Sequence, residues 1–423
     1  MVDQTAVTIV AEVRPDGLET LRAKLEAIGA DAAGNDTIAF GRFDGLHFAR
    51  LVLLDPVVDL DGEPIPGKLV FFADIDGPAR PFLRRLVAGA AAGLDAIYCY
   101  CDGYTAGSDE SGRLAFLEAH MIKAGAEYVN TAGRTLLQVR QEATLREAIE
   151  TYLDAERAGF AGLDAEVAVS RIRGYVASQP ALSWAIKPAA GRGVTGRLRD
   201  WFELARVGAV LLVLSPLLII GAPFGLLLLR WHEIRDPAPD IRPSPEHARD
   251  LANREDIVVQ NPFMGVGFVK PGWFRRYLSS VALMVAGPII RHHYDRGSLA
   301  GVRTIHFARW AFLDDHRRLL FGSNYDGSLE SYMDDFIDRL AWGLNVIFGN
   351  GQGYPKVRWA LFGGAQREEN FKHFLRVHQV PCQVWYSAYP QLSAVNVANN
   401  AAIRAGLSEK LDAQAAAAWL RRL

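Results

Sequence analysis

The apolar positions of the first 140 residues switch between strand-like and helix-like spacing. Alternation over residues 8–14 predicts a strand that ends in a Pro-Asp-Gly turn. Leu18, Leu21, Leu25 and Ile28 then recur at the helical period. The pattern further predicts strands at 48–54, 68–73 and 96–100, helices at 81–92 and 114–123, and an extended stretch at 127–139. This β-α-β-β-α-β order with one added helix is the ferredoxin-like arrangement.

A similar pattern returns after residue 255. It predicts strands at 306–313, 319–322, 346–348, 359–362 and 383–386, and helices at 329–342 and 369–377. The helix before these strands is unusually apolar, since residues 278–290 carry no charge. The tail at 396–423 has helical character and an alanine run. The chain is therefore predicted to contain two α+β units, at 1–140 and 255–395.

Matched motifs indicate that the two units are copies of each other. His47-Phe48-Ala49-Arg50 corresponds to His306-Phe307-Ala308-Arg309, and the apolar run that follows ends in Asp76-Gly77 or Asp326-Gly327. Downstream glycines keep the same spacing in both copies, at Gly93 and Gly103 and at Gly343 and Gly353. A ferredoxin-like unit leaves one face of its sheet without helices, so two tandem units can stack sheet on sheet. The predicted fold is an intramolecular dimeric α+β barrel.

The connector at 141–254 holds a segment that departs from the soluble pattern. Residues 207–229 contain no charged side chain, and the length suffices for about 20 residues of bilayer span. Pro216, Gly221 and Pro223 interrupt it, so we expect a re-entrant or interfacial hairpin, with 278–290 as a second contact with lipid. Basic residues between 187 and 206 favour the cytoplasmic face of the membrane. The competing interpretation is a buried core helix.

Composition adds few constraints. The 423 residues are 50% hydrophobic and 22% charged, with a net charge of −2, which gives no general attraction to nucleic acid. Cys99, Cys101 and Cys382 do not form a disulfide framework, so a reducing compartment fits. Cys99 and Cys101 are predicted to lie on one strand. No Cys/His spacing typical of a metal site occurs.

Duplication and element order carry a resemblance to a known superfamily. Residues 5–140 and 255–390 resemble the dimeric α+β barrel proteins, which include dye-decolorising peroxidases and chlorite dismutase-like proteins. The stretch from Gly322 to Gly327 is similar to the Gly-x-x-Asp-Gly motif of these peroxidases, with one additional residue. The resemblance implies a haem in one half, with a His ligand and a distal Asp or Arg.

Transferred to this chain, the resemblance implies a haem pocket between the sheet and the helices of the second copy. His378 or His306 would ligate the iron, and Asp326 or Arg309 would be catalytic on the distal side. Asn324 and Tyr386 occur in one copy only and would help to bind the cofactor. The structural alternative is that each arginine pairs with the Asp-Gly carboxylate of its own copy, Arg50 with Asp76 and Arg309 with Asp326.

Two classes of function follow. The first is a membrane-associated, haem-binding, peroxidase-like oxidoreductase that acts on a small-molecule or lipid-like substrate. The second is a non-catalytic, membrane-associated protein that binds a lipid or protein partner with the same fold and without haem. Both allow a homo-oligomer, and neither calls for nucleic acid.

Overall fold

Two four-stranded antiparallel sheets and their helices form the α+β fold of the computed structural model, which describes residues 4–188, 194–239, 241–293 and 297–423. The first part of the chain contains β1 (Gln4–Glu12), α1 (Leu18–Gly29), β2 (Leu46–Leu54), the short pair β3 (Val57–Val58) and β4 (Pro64–Ile65), β5 (Lys68–Asp76), α2 (Ala79–Tyr98), α3 (Glu110–Ala119) and β6 (Ala126–Val129). The connector contains α4 (Leu136–Ala155), α5 (Arg157–Phe160), α6 (Ala165–Ser178), α7 (Val194–Arg235) and α8 (Pro245–Ala252).

The second half repeats much of this order. It contains β7 (Gln260–Phe268), α9 (Trp273–His293), β8 (Ile305–Leu313), β9 (Arg318–Asp326), α10 (Leu329–Phe348), the short pair β10 (Val357–Arg358) and β11 (Phe362–Gly363), α11 (Glu368–His378), β12 (Val384–Ser387), α12 (Ala394–Ser408) and α13 (Ala413–Leu420). The two large sheets match in register, because Gln4 pairs with Asp76 at one end of the first and Gln260 with Asp326 at the same end of the second.

Each sheet takes one strand from the other half of the chain. The strand orders are β1-β5-β2-β12 and β6-β8-β9-β7. Trp385 on β12 therefore lies opposite Arg50, and Glu127 on β6 lies opposite Arg309. Since each sheet contains strands of both halves, the assignment of two tandem ferredoxin-like repeats stays a prediction, while the α+β class with antiparallel sheets is confirmed.

The segments that lead into β6 and β12 join the two sheets at their edges. Ile122 N donates to Thr8 O at 2.9 Å beside β1, and the chain then continues into β6 of the other sheet. In the second half, Val380 N donates to Met264 O at 2.7 Å beside β7 before the chain reaches β12. The outer strands β1 and β7 are thus covered by backbone pairing, which removes edges that would otherwise pair with other chains.

Apolar side chains fill three layers around the sheets. One layer lies between the first sheet and α1–α3 and includes Phe71 and Phe82, and a second packs the helices of the second half around Phe321. The third lies between the two sheets, is built from residues such as Val70 and Leu320, and is called the intersheet layer below. A separate helical cluster of α4, α6, α12 and α13 ties the connector to the tail.

Several sequence predictions of strands are wrong because helices continue past glycine. Residues 96–98 and 346–348 belong to the last turns of α2 and α10, and Cys99 follows the helix rather than lying on a strand. Gly93 lies within α2, where it allows close packing, since a Cβ there would overlap Thr37 O of the preceding loop. The extended stretch predicted at 127–139 ends at Val129, and residues 359–361 form the turn between β10 and β11.

The predicted hairpin at 207–229 is also wrong. Residues 194–235 form the single helix α7, with Pro216 and Pro223 inside it. Each proline removes one backbone hydrogen bond and bends a helix, but neighbouring turns hold it together. Within the part of the chain that the structure describes, no helix combines the length and the apolarity needed to cross a bilayer.

Candidate functional site

Two buried His–Asp pairs occupy matching positions in the two sheets. His47 Nε2 lies 3.0 Å from Asp76 Oδ1, and His306 Nε2 lies 2.8 Å from Asp326 Oδ1. The second oxygen of each carboxylate accepts a backbone N–H at the start of a helix, from Leu136 at 2.8 Å for α4 and from Ala394 at 2.7 Å for α12. A carboxylate is stabilised there by unpaired helical N–H groups. Each pair therefore joins a strand end to a helix start.

Tyr389 lies between the two pairs. Its hydroxyl is 3.2 Å from His47 Nδ1, and its ring centroid is 5.8 Å from that of His306. Phe48 and Phe307 close the cluster, and burial raises the pKa of Tyr389 well above its usual range. The cluster is an aromatic core with two His–Asp pairs inside it.

The alternative prediction, one Arg–Asp pair within each copy, is wrong because both arginines cross the intersheet layer. Arg50 donates to Phe263 O at 2.7 Å and Ser323 O at 2.9 Å, while Arg309 donates to Val7 O at 2.7 Å and to the Asp74 carboxylate. Strand register explains the difference. Arg50 lies opposite Phe72, four residues along β5 from Asp76, which is roughly 13 Å away.

Asn324 connects the two arginines. Its Nδ2 donates to Asp74 Oδ2 at 3.2 Å, and its Oδ1 accepts from Arg50 and from Trp385 Nε1, the latter at 3.2 Å. Asp74 and Asn324 hold the same place on β5 and β9. Exact duplication would give the same residue at both positions, but the first sheet has a carboxylate and the second has an amide. This cluster is satisfied within the protein and presents no open reactive group.

Tyr386 and His378, also predicted to line the haem pocket, lie apart from this cluster. The Tyr386 ring packs 6.0 Å from Phe40 in the first apolar layer. His378 is the last residue of α11, and its Nδ1 lies 2.8 Å from Phe374 O. The six predicted site residues are therefore spread over four environments and do not converge on one pocket.

The surroundings of His378 test whether haem fits. Burial lowers the pKa of His378, so its imidazole is neutral and donates from Nδ1 to the Phe374 carbonyl, which leaves Nε2 with a lone pair. The neighbouring cavity is apolar and measures about 40 Å³, against the ~300–1,000 Å³ of ligand pockets. A Cβ on Gly267 would come within 2.9 Å of the His378 ring. His306 Nε2 is engaged by Asp326, so neither histidine fits a haem.

Other polar motifs of the second half are also engaged internally. Lys270 Nζ donates to Gly349 O at 2.9 Å and Arg275 Nη1 donates to Asn350 Oδ1 at 2.8 Å, so the glycine-rich loop at 349–353 is a braced turn. Asp334 on the acidic face of α10 pairs with Lys372 at 2.5 Å. Among the described residues, no group of His, Cys, Asp or Glu side chains could hold a metal ion.

An open cavity of about 320 Å³ lies between α9 and α10, and we call it the apolar groove. It is lined by aliphatic and aromatic side chains, among them Ala282, Val285, Ile289, Leu340, Trp342 and Ile347. Ile289 and Trp342 are exposed at its rim. Sequence reasoning marked 278–290 as apolar but did not locate the groove, because the other wall comes from α10, whose pattern is that of an ordinary amphipathic helix.

Comparison of the chain with protein families, with curated proteins and with solved structures finds no match.

Proposed function

We propose that the protein attaches to a membrane surface and binds an apolar, lipid-like molecule in the apolar groove. The observation that carries the proposal is the continuity between the groove and an exposed apolar surface. Ile289, 44% exposed, and Trp342, 54% exposed, both line the groove between α9 and α10 and reach the surface. Soluble proteins rarely leave a large contiguous apolar patch in water unless it binds a partner or a membrane.

Helix α7 carries further exposed apolar side chains. Ile220, Phe224, Leu227 and Trp231 are all exposed on it. Transfer of each such side chain from water to lipid is worth roughly 1.5–3 kcal/mol, so partial insertion of a few of them suffices for attachment. Attachment by helices that lie along the surface requires no span.

The end of α7 is fixed to the start of α9, which keeps their exposed faces together. The His232 ring stacks on Phe274 with centroids 5.6 Å apart. Asp236 accepts from Lys270 Nζ and from Arg275 Nη2, each at 2.8 Å. Burial lowers the pKa of Lys270, whereas the negative charge of the paired Asp236 acts to raise it and so favours the charged ammonium. We propose that the exposed apolar side chains of both helices contact the membrane.

We extend the proposal to orientation and fold. The basic residues between 187 and 206 favour the cytoplasmic face of the membrane. The matched registers of the two sheets support two ferredoxin-like copies, at 1–140 and 255–395, that exchange their last strands and enclose the intersheet layer as an intramolecular α+β barrel. The peroxidase hypothesis has no such support, because the residues named for it are engaged elsewhere.

Binding of a fluorescent long-chain fatty acid to the full chain tests the groove. Ala282→Trp fills the groove, and we expect its Kd to rise by about tenfold or more, a loss of about 1.4 kcal/mol. Ala88→Trp places the same side chain on the exposed face of α2 and serves as the matched control. Circular dichroism confirms that both variants fold. Equal affinity of the three proteins would overturn the groove as the site, and failure of the wild type to sediment with any vesicle would overturn membrane attachment.

A further inference from the structure

We infer that a second cleft, beside the C-terminal end of α7, binds the phosphate headgroup of an anionic membrane phospholipid. The inference rests on the proposed membrane attachment and specifies the lipid class that the surface selects. The cleft measures about 480 Å³ and is called the cationic cleft here. Its lining includes Arg230, Lys356, Arg358 and Arg367, with Phe362 at one side.

Charge in the cationic cleft is unbalanced. Its described lining contains four cationic side chains and one carboxylate, that of Glu233. Arg358 and Arg367 are exposed and form no ion pair with a described carboxylate, while Lys356 Nζ contacts only the Ile234 carbonyl, at 3.4 Å. Arg and Lys side chains that converge without acidic partners provide the donors that a phosphate group takes up.

The single carboxylate is already used within the protein. Glu233 Oε2 accepts from Trp359 N at 2.8 Å, and Oε1 accepts from Ala360 N at 2.7 Å. Arg230 Nη1 also donates to Oε2, at 3.1 Å. The side chain of Glu233 is fully buried, and its charge is paired with Arg230 and with two backbone N–H groups rather than with Lys356 or Arg358.

These hydrogen bonds hold a loop in an unusual conformation. Trp359 and Ala360 have φ values of 57° and 56°, in the left-handed region that non-glycine residues rarely adopt. Residues in this conformation are strained and persist only where the surroundings fix them. The result is a turn that exposes Trp359, Leu361 and Phe362 beside the cationic groups.

The combination of exposed apolar side chains and uncompensated cations points to a lipid rather than to a soluble anion. Trp is typical of the membrane–water interface, and cationic side chains beside it meet the phosphates of anionic lipids. A soluble phosphate would gain nothing from Leu361 and Phe362. The loop beside the cleft is fixed to α10, one wall of the apolar groove, because Asn345 donates from Nδ2 to Leu361 O at 2.9 Å and to Gly363 O at 3.0 Å.

Vesicle sedimentation with the full chain tests the inference. The probes are vesicles of phosphatidylcholine alone and vesicles that contain phosphatidylglycerol, both at 0.15 M ionic strength, where long-range attraction is screened. We expect the wild type to prefer the anionic vesicles by on the order of tenfold, since each basic residue at such a surface contributes about a fivefold effect. Arg358→Glu/Arg367→Glu should abolish this preference and keep binding to neutral vesicles. Arg84→Glu/Arg85→Glu, an equal change of charge on the exposed face of α2, should leave the preference intact.

Each other outcome overturns a distinct claim. Equal binding to both vesicles, or equal loss in the two charge-reversed variants, overturns the headgroup site and leaves membrane attachment standing. Calorimetric titration with inorganic phosphate, without vesicles, separates the two sources of phosphate. Tight binding that disappears in Arg358→Glu/Arg367→Glu, together with no preference for anionic vesicles, would identify a soluble anion and overturn the lipid. Absence of binding to either vesicle overturns the proposed function itself.

Discussion

Asp74 of the first sheet and Asn324 of the second hold matching strand positions and hydrogen bond to each other across the intersheet layer, with Asn324 Nδ2 3.2 Å from Asp74 Oδ2. Each also accepts from one of the two arginines that cross between the sheets, Arg309 and Arg50. One amide in place of a second carboxylate converts a repulsive contact into a hydrogen bond. The departure from duplication at this position therefore stabilises the interface between the sheets.

Asn324→Asp should destabilise the protein by about 2 kcal/mol at pH 7, because two buried carboxylates would then face each other. Such a pair has one raised pKa, so the loss should shrink as pH falls and the pair takes up a proton. Urea unfolding at pH 7 and pH 5 measures both effects. Unchanged stability at both values would contradict the assigned contact. Asp74→Asn should cost about 3–5 kcal/mol, since it leaves Arg309 buried without a counter-charge.

Gly322→Ala should destabilise the protein by about 1–3 kcal/mol, because the new methyl group would overlap the Phe72 ring. Phe72→Leu in the same chain should recover part of the loss. Gly174→Ala is the control, since a Cβ there meets nothing within 4 Å and α6 should gain about 0.5–1 kcal/mol. Thermal unfolding of the variants measures these differences, and equal melting temperatures for Gly322→Ala and wild type would show that Phe72 yields.

Asp326→Ala should expose the start of α12 without affecting the start of α4. The carboxylate accepts from Ala394 N and holds His306, so its removal should speed amide exchange over the first turn of α12 and cost about 1–3 kcal/mol. Asp76→Ala should act in the same way on Leu136 and α4. Hydrogen exchange read segment by segment distinguishes the two. Equal acceleration at both helices in either variant would contradict a local role.

The lowered pKa of His378 predicts a pH dependence of stability. Burial disfavours the charged imidazole in the folded state, so the unfolded chain binds the proton more strongly. Stability from this group is complete above the unfolded pKa of about 6.5 and is lost as pH falls below it. The His378→Gln variant should lose less stability between pH 8 and pH 5.5 than the wild type. His373→Gln, on the same helix, is the control, and parallel pH profiles in all three proteins would contradict the prediction.

The haem prediction remains open to a direct measurement. After expression with haem supplied, we expect no Soret band, since the cavity at His378 is small and His306 is bound to Asp326. A band that disappears in His378→Ala and persists in His306→Ala would contradict this expectation. It would show that the second half opens to admit a porphyrin.

Hydrophobic spacing predicted the strands of the two large sheets well. It predicted the ends of α2 and α10 poorly, because each of these helices contains a glycine. Strands around 48–54, 68–73 and 306–313 are found within a few residues of their predicted limits, because their side chains face two apolar layers. The helices predicted at 81–92 and 329–342 ended just before Gly93 and Gly343, yet both glycines lie within helices. In α2 the glycine allows close packing against the Thr37 carbonyl, a contact that no local sequence pattern records.

The side-chain pairs could not be predicted from the sequence, because they depend on strand register and on the exchange of strands between the sheets. His–Asp and Arg–Asp pairs are equally compatible with the motif, and only the four-residue offset along β5 decides between them. Comparison of the two copies did single out Asn324, which proved to accept a hydrogen bond from Trp385. The cationic cleft was missed because its residues come from α7 and from the β10–β11 turn, far apart in the sequence.

The exchanged strands also set the order in which the chain can reach its final state during synthesis. The outer edge of β2 is unpaired until β12 has been synthesised. The hydrogen bond from Leu53 N to Gln383 Oε1 joins residues 330 positions apart in the sequence. The first sheet must therefore wait, with one edge unpaired, until the chain has been synthesised beyond Ser387. Such distant closure is slow and leaves a nascent chain open to aggregation. Until β12 arrives, the open edge of β2 can pair with strands of other chains.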